Sequence, residues 1–180
     1  MVRIHILGAA GSGTTTVGAE LAARLGLSHV DADTLFWIPT DPPFTTRRQA
    51  DDRRALLLQR LPVAGHWVFS GSALRWATPL EPFYDLIVFL RLDPTIRMER
   101  VRQREIARYG ARIEAGGDMA RASIEFLEWA ASYDAAGPEQ RSLAAHETWL
   151  KSQTAHVLRL DSSAPVPDLV TAVMAQLEHR

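Results

Sequence analysis

The chain has 180 residues, of which 47% are hydrophobic and 23% charged, and its formal net charge is −1. These values are typical of one soluble globular domain, and they give no electrostatic argument for binding to nucleic acid or to an acidic membrane. No apolar run is as long as a transmembrane helix, and the sequence contains no cysteine, which excludes disulfides and thiolate chemistry. We therefore expect a single domain spanning 1–180, located in the cytoplasm, with no membrane or nucleic-acid partner.

Short apolar runs alternate with longer amphipathic segments along the whole chain. The runs that predict strands are 2–7, 27–30, 66–72, 84–92 and 156–161. Helices are predicted from Thr15 to Gly26, over 47–61, over 94–110, from Met119, from Pro138 and over 166–180. This alternation predicts an α/β fold with a five-stranded parallel sheet flanked by helices on both faces.

A glycine-rich stretch, GAAGSGTT at 8–15, joins the first predicted strand to the first predicted helix. It fits the phosphate-binding pattern G-x-x-x-x-G-K-[ST] except at Thr14, which stands where the pattern has lysine. The glycines allow backbone N–H groups to face phosphate oxygens, and Thr15 holds the place of a hydroxyl that ligates Mg²⁺. A plain glycine turn is the alternative. The residues predicted to bind nucleotide are Gly8, Ala9, Ala10, Gly11, Ser12, Gly13, Thr14, Thr15 and Thr16.

Three stretches, RIHILGAAGSGTTT, FWIPTDPPFT and WVFSGS, resemble a bacterial set of proteins labelled adenylate-kinase-like or P-loop ATPase. The whole chain resembles the nucleoside-monophosphate kinase group of P-loop proteins, which includes adenylate, cytidylate, shikimate and gluconate kinases. Within it, GSGTTT is similar to the loop of archaeal-type cytidylate kinases, which are active with threonine at the lysine position. The resemblance implies a P-loop NTPase fold, ATP as phosphate donor and Mg²⁺ as cofactor. It also implies an acceptor-binding helical segment at about 34–62, an arginine-rich lid at about 97–120 and an adenine site near 159–167.

The segment DADTLFW at 31–37 follows the second predicted strand, at the edge of a parallel sheet where ligands bind. By resemblance to shikimate and gluconate kinases, Asp33 is expected to act as a base on the acceptor hydroxyl or as a ligand of the metal's water shell. Alternatively, Asp31 or Asp33 caps a helical turn that starts at Thr34. The residues expected to bind the acceptor are Asp31, Asp33, Arg47, Gly71 and Arg75.

A run of arginines follows the fourth predicted strand, where the kinase group carries its lid. The members, spaced by three or four residues, are Arg97, Arg100, Arg104, Arg108 and Arg112. Because Lys151 is the single lysine of the chain, we expect Arg104 or Arg108 to supply the charge that Thr14 lacks, with Arg100 as a further catalytic candidate. A solvated helix face paired with neighbouring glutamates is the alternative.

These observations predict a monomeric or homodimeric enzyme that binds ATP and a small-molecule acceptor. The first expectation for the acceptor is a nucleoside monophosphate. The alternatives are a kinase acting on a metabolite hydroxyl, as shikimate and gluconate kinases do, and a nucleotide-binding regulatory protein with weak ATPase activity.

Overall fold

The computed structural model describes residues 1–178. Its strands are β1 (Arg3–Gly8), β2 (Ser28–Asp31), β3 (Trp67–Ser70), β4 (Leu86–Arg91) and β5 (His156–Asp161). Its helices are α1 (Thr14–Leu25), α2 (Ala32–Phe36), α3 (Ala50–Arg60), α4 (Pro94–Tyr109), α5 (Ala120–Ala131), α6 (Leu143–Ser152) and α7 (Val166–Glu178). Short 3-10 segments cover Thr78–Phe83, Gly110–Ile113 and Ser132–Asp134.

All five strands pair in parallel, in the spatial order β2-β3-β1-β4-β5. The prediction of an α/β fold with a five-stranded parallel sheet is therefore confirmed. Because every strand runs the same way, the residues that follow β1, β2 and β3 lie at one edge of the sheet. That edge carries the candidate site.

Alternate strand residues bury against opposite faces of the sheet. On one face, Ile4 and Val68 pack with residues of α1 and α7 such as Val17 and Val170. On the other face, Trp67 and Phe69 pack with Leu57 of α3 and with partners from α2 and α6. Each fully buried side chain of this kind stabilises the fold by roughly 1.5–3 kcal/mol. The two cores fix the sheet edge as a rigid base for the loops above it.

Some boundaries differ from the predicted ones for local reasons. The third strand stops at Ser70 because Gly71 adopts a left-handed φ of 99°. The helix predicted from Pro138 begins only at Leu143, because the Ser142 side chain caps it by accepting a hydrogen bond from the amide of Ala145. The last helix ends at Glu178 in the described chain, and the predicted positions 179–180 lie outside the described residues. Within residues 1–178, no helix has the length and apolar character needed to cross a membrane.

Candidate active site

The loop between β1 and α1 has the backbone geometry of an anion cradle. Gly13 has a φ of 88° and precedes a helix whose first turn has no side-chain cap. The helical ladder begins with the bond from the amide of Val17 to the carbonyl of Gly13. The N–H groups of the three preceding residues, 14–16, therefore have no acceptor within the helix and are available to a phosphate.

Helix α4 supports this loop from behind. A Cβ on Gly11, whose φ is 86°, would lie 2.6 Å from the carbonyl oxygen of Arg97, so only glycine lets α4 approach this closely. The Arg97 guanidinium also donates to the carbonyl of Ala10 at 3.4 Å. The loop is thereby held between the sheet and α4.

A polar network joins the phosphate loop to the end of β2. The hydroxyl of Thr15 donates to the Asp31 carboxylate at 2.5 Å, and the hydroxyl of Ser70 donates to the same oxygen at 3.2 Å. The ring of His29 in turn contacts the Ser70 hydroxyl at 2.9 Å. Asp31 also caps α2 through the amide of Asp33, so the capping alternative is correct for Asp31. The same carboxylate both ends a strand and touches the hydroxyl predicted to ligate Mg²⁺.

These donors fit a magnesium ion that completes its shell with phosphate and water. Mg²⁺ in phosphoryl-transfer sites is bound through one or two protein oxygens, with the rest from substrate phosphates and water. Thr15 Oγ1 and Asp31 Oδ2 are two such oxygens beside the amide cradle. Across residues 1–178, no three His, Cys, Asp or Glu side chains gather into a metal cage.

Asp33 is exposed on the outer side of this network, and we call the space beside it the crevice. The surrounding atoms, and then the negative charge of Asp31, raise the pKa of the Asp33 carboxyl. The guanidinium charges of Arg141, Arg104 and Arg108 oppose that rise. The predicted residues Arg104 and Arg108 thus come together with Asp33, along with a third arginine that the sequence did not indicate.

Arg141 is that third arginine, and it is half-buried, with the charge of Asp33 acting on it. Its guanidinium lies 4.2 Å from the centre of the Trp129 ring, and its Nε is enclosed without a hydrogen-bond partner in the described chain. Burial lowers its pKa to about 10, so it stays charged at neutral pH. No carboxylate among residues 1–178 forms an ion pair with it. A guanidinium partly enclosed in this way has hydrogen-bonding capacity left for an anion.

Arg75, predicted to bind the acceptor, braces the segment before Arg141 instead. It adopts a left-handed φ of 70°, and its guanidinium donates to the backbone carbonyls of Pro138 and Glu139 at 2.7 and 2.8 Å. Both of its terminal nitrogens are engaged by backbone, which leaves the role of anion contact to Arg141.

Two other predicted acceptor residues, Arg47 and Gly71, contact protein groups in this structure. Arg47 lies over the rings of Phe36 and Trp37, at 5.9 and 5.8 Å from their centres. Gly71 is needed because a Cβ there would come 2.8 Å from the Cβ of Ala32. The close approach at Gly71 is therefore made by α2 and not left open for an acceptor.

The five arginines predicted as one lid stripe do not form one surface. Arg97 is only 1% exposed; it pairs with Asp134 at 2.7 Å and donates to the carbonyl of Ala130. Arg100 points to the carbonyl of Ser162 at 3.5 Å, near the exit of β5. Helical spacing alone does not separate Arg97, which is buried, from the more accessible members of the run.

We expect Arg97→Ala to lower stability by about 2–3 kcal/mol, because it removes the buried partner of Asp134 and support for the phosphate loop. Thermal unfolding with and without nucleotide measures the effect. Arg121→Ala is the matched control, since Arg121 forms an exposed i,i+4 pair with Glu125. Equal melting temperatures for the two variants would contradict the structural role of Arg97.

The tip of the lid touches the loop that follows α2. The guanidinium of Arg112 pairs with Asp41 at 2.5 Å and with Asp118 at 2.6 Å. The Tyr109 hydroxyl donates to the carbonyl of Pro43, and Arg108 lies 4.2 Å from the centre of the Phe44 ring. We call the loop between α2 and α3, at 37–49, the acceptor loop. The acceptor loop, α4 and Arg141 surround the crevice at Asp33.

A second opening lies where the sequence predicts the adenine site. It has a volume of about 500 Å³ at the carboxyl ends of β4 and β5, and Arg91, Asp93, Arg159 and Asp161 line it. The phosphate loop follows β1, which is the neighbour of β4. The opening and the phosphate loop therefore lie at the carboxyl ends of neighbouring strands.

Comparisons with solved structures place this arrangement in a known fold. A shikimate kinase from Bacteroides thetaiotaomicron superposes with a TM-score of 0.58 at 16% identity, covering 98% of each chain. A gluconokinase from Sinorhizobium meliloti 1021 gives 0.56 at 17% identity, over 99% of this chain and 92% of that one. A deoxyadenosine kinase from M. mycoides, solved with bound dCTP, gives 0.55 at 12% identity over 99% and 100%. The chain has the P-loop kinase fold, as the resemblance implied.

Sequence comparison identifies the family. The profile described as "AAA domain" matches residues 4–119. The Bacillus subtilis (strain 168) protein named "Uncharacterized protein YqaC" is 42% identical over 174 residues, which are 97% of this chain and 96% of that protein. The chain belongs to the AAA-domain family and shares it with YqaC.

Proposed function

We propose that this protein is an ATP- and Mg²⁺-dependent kinase that transfers the γ-phosphate of ATP to a small-molecule acceptor. The observation that carries the proposal is the contact between Thr15 of the phosphate loop and Asp31. The two oxygens of this contact lie beside the amide cradle, and they support a metal site next to Asp33. The 3-D likeness to kinases supports the reaction class.

Asp31, together with Thr15, is the better candidate for the metal than the predicted Asp33. Only Asp31 touches the Thr15 hydroxyl, whereas Asp33 lies on the outer side of the network. Bound there, Mg²⁺ would offset negative charge on the β- and γ-phosphates. The loop amides of 14–16 and the hydroxyl of Thr15 would orient the triphosphate.

Asp33 then serves as the base for an acceptor hydroxyl. Its carboxylate takes the hydroxyl proton as the acceptor oxygen bonds to the γ-phosphorus, while the bond to the β–γ bridging oxygen breaks and ADP leaves. The raised pKa of Asp33 brings its basicity closer to neutral pH. Arg104, Arg108 and Arg141 supply the positive charge that the loop lacks at Thr14.

An acceptor with a hydroxyl and an anionic group fits this crevice best. Asp33 suits a hydroxyl nucleophile, and the Nε of Arg141 is enclosed without a hydrogen-bond partner in the described chain. A nucleoside monophosphate is the second candidate, because its phosphate would also satisfy Arg141 and Arg104, although that acceptor needs no base.

The test is a thermal-shift panel of nucleotides with Mg²⁺, followed by ADP formation with candidate acceptors. Ligands that bind the folded state raise the melting temperature by mass action. We expect ATP to raise it only modestly without Mg²⁺ and strongly with it. The absence of any nucleotide shift would overturn the proposal. A shift without ADP formation for any acceptor would favour a regulatory nucleotide-binding protein.

We expect Asp31→Asn to raise the Mg²⁺ concentration required for half-maximal ADP formation by about 10-fold or more, because a charged oxygen ligand is lost. A magnesium titration at saturating ATP measures this. Asp51→Asn, an exposed change at the start of α3, is the control. An unchanged magnesium requirement in Asp31→Asn would place the metal elsewhere.

A further inference from the structure

Three polar side chains behind the acceptor crevice are joined in a row. The Ser72 hydroxyl lies 2.8 Å from Nε2 of His146, and the Tyr133 hydroxyl lies 2.7 Å from Nδ1 of the same ring. His146 is fully buried, Tyr133 is almost so, and Ser72 is half-buried at the end nearer the crevice. The proposed kinase mechanism uses none of these three groups.

The ionisation state of the row is fixed by burial. Burial lowers the pKa of His146 to about 3, so the imidazole is neutral and carries one N–H. Burial also raises the pKa of Tyr133, so the phenol keeps its proton. Three protons are therefore present, on the phenol, the ring and the serine, but the two hydrogen bonds use only two. One proton remains at one end of the row.

The position of the remaining proton follows from what surrounds each end. If Ser72 donated to His146, the ring would donate to the Tyr133 oxygen, and the phenol proton would have no acceptor in the described chain. A buried donor without an acceptor is unfavourable, whereas a donor at a half-exposed position is free to meet a ligand or water. The phenol therefore donates to Nδ1, the Nε2–H group donates to Ser72, and the serine proton is the free one.

Ser72 is placed where an acceptor would meet this proton. It follows Ser70 and Gly71, which contact Asp31 and Ala32 at the start of the Asp33 crevice. The positive charge of Arg141 acts on both Asp33 and His146. The hydroxyl of Ser72 is thus on the same side of the sheet edge as the acceptor base.

We propose that Ser72 donates a hydrogen bond to an oxygen of the acceptor. His146 and Tyr133 are positioning residues: they make Ser72 accept a hydrogen bond from the imidazole, so that its own proton is not donated to the ring. The contact would select acceptors that present a hydroxyl, carboxylate or phosphate oxygen at this point. The statement about the acceptor rests on the proposed function, whereas the statement about the His146 tautomer stands alone.

Long-range ¹H–¹⁵N NMR of the full-length protein tests the tautomer directly. We expect Nε2 of His146 to carry the proton and Nδ1 to be bare. Tyr133→Phe removes the hydrogen bond that the phenol donates to Nδ1. The ¹⁵N chemical shifts of Nδ1 and Nε2 should then move toward each other, because both tautomers become populated. Tyr84→Phe is the matched control, a buried tyrosine that packs on His5 and not on His146. Protonated Nδ1 in the wild type would overturn the proposal.

Kinetics test the acceptor contact. Gluconate, shikimate, deoxyadenosine and AMP are supplied with Mg²⁺ and ATP, and the best acceptor is titrated against each variant. We expect Ser72→Ala to raise the acceptor KM by about tenfold with the KM for ATP unchanged, Ser72→Thr to restore it, and Tyr133→Phe to raise it by about threefold. An unchanged acceptor KM in Ser72→Ala overturns the contact. If none of the four is phosphorylated, the proposed function loses support, while the NMR result still decides the tautomer.

Discussion

Asp33→Asn lowers the rate of phosphoryl transfer by about 10²–10⁴-fold, the range for losing a general base, while MgATP still binds. Asparagine keeps the shape of the side chain and its place beside Arg141 and Arg104, but it cannot accept the acceptor's proton. Single-turnover formation of the phosphorylated acceptor measures the rate, and the thermal shift with MgATP measures binding. Asp52→Asn on α3 is the control, since this carboxylate is exposed and away from the crevice.

The pH dependence of the same variant separates a base from a structural residue. Asp33 must be ionised to act, and its pKa is raised, so the wild-type rate falls as the pH drops through that raised value. This loss begins at a higher pH than for an ordinary aspartate. Asp33→Asn should retain only a slow rate without that acidic limb. A variant that keeps the wild-type acidic limb would show that another group is the base.

Arg141→Met lowers kcat/KM for the acceptor by about 10²–10³-fold, because it removes a preorganised cation from a partly enclosed site. The folded protein should lose no stability from this change. Burial disfavours the Arg141 charge, and methionine fills a similar volume over Trp129. Steady-state kinetics and thermal unfolding of the same preparations measure both effects. Arg102→Met, an exposed change on α4, is the control.

Added inorganic phosphate gives an independent measure of the same group. The wild type should be stabilised by phosphate more than Arg141→Met is, because the enclosed guanidinium gains a counterion. Equal stabilisation of both proteins, together with an unchanged kcat/KM, would remove Arg141 from the site.

The sequence was most informative where local pattern determines structure. The apolar runs predicted all five strands, and the spacing of Gly8, Gly11 and Gly13 predicted the phosphate loop. Both features depend on a few consecutive residues, because strand burial and glycine conformation are local properties. For Asp31 the sequence allows acceptor binding or helix capping, and the structure shows that it caps α2 while also touching Thr15.

Long-range packing decided what the sequence could not. Arg141 follows a polar turn, GPEQ, and no feature of that stretch indicates that Trp129 and the brace of Arg75 enclose it. In the same way, the arginine spacing from 97 to 112 does not distinguish Arg97, which is buried and supports the phosphate loop, from Arg112, which is accessible. The arginines that we propose to compensate for Thr14 therefore come from two separate segments, helix α4 and the turn before α6.

The contacts of Arg112 bear on how often the crevice can open. Asp41 and Asp118 remain largely in water, and Arg112 is accessible too, so these ion pairs are screened and individually weak. The loop that follows α2 and the segment at 97–120 are thus joined by ion pairs that thermal motion can break and form again. In the proposed kinase, contacts of this kind would let the two segments separate and release product in each catalytic cycle, whereas a hydrophobic interface would hold them together.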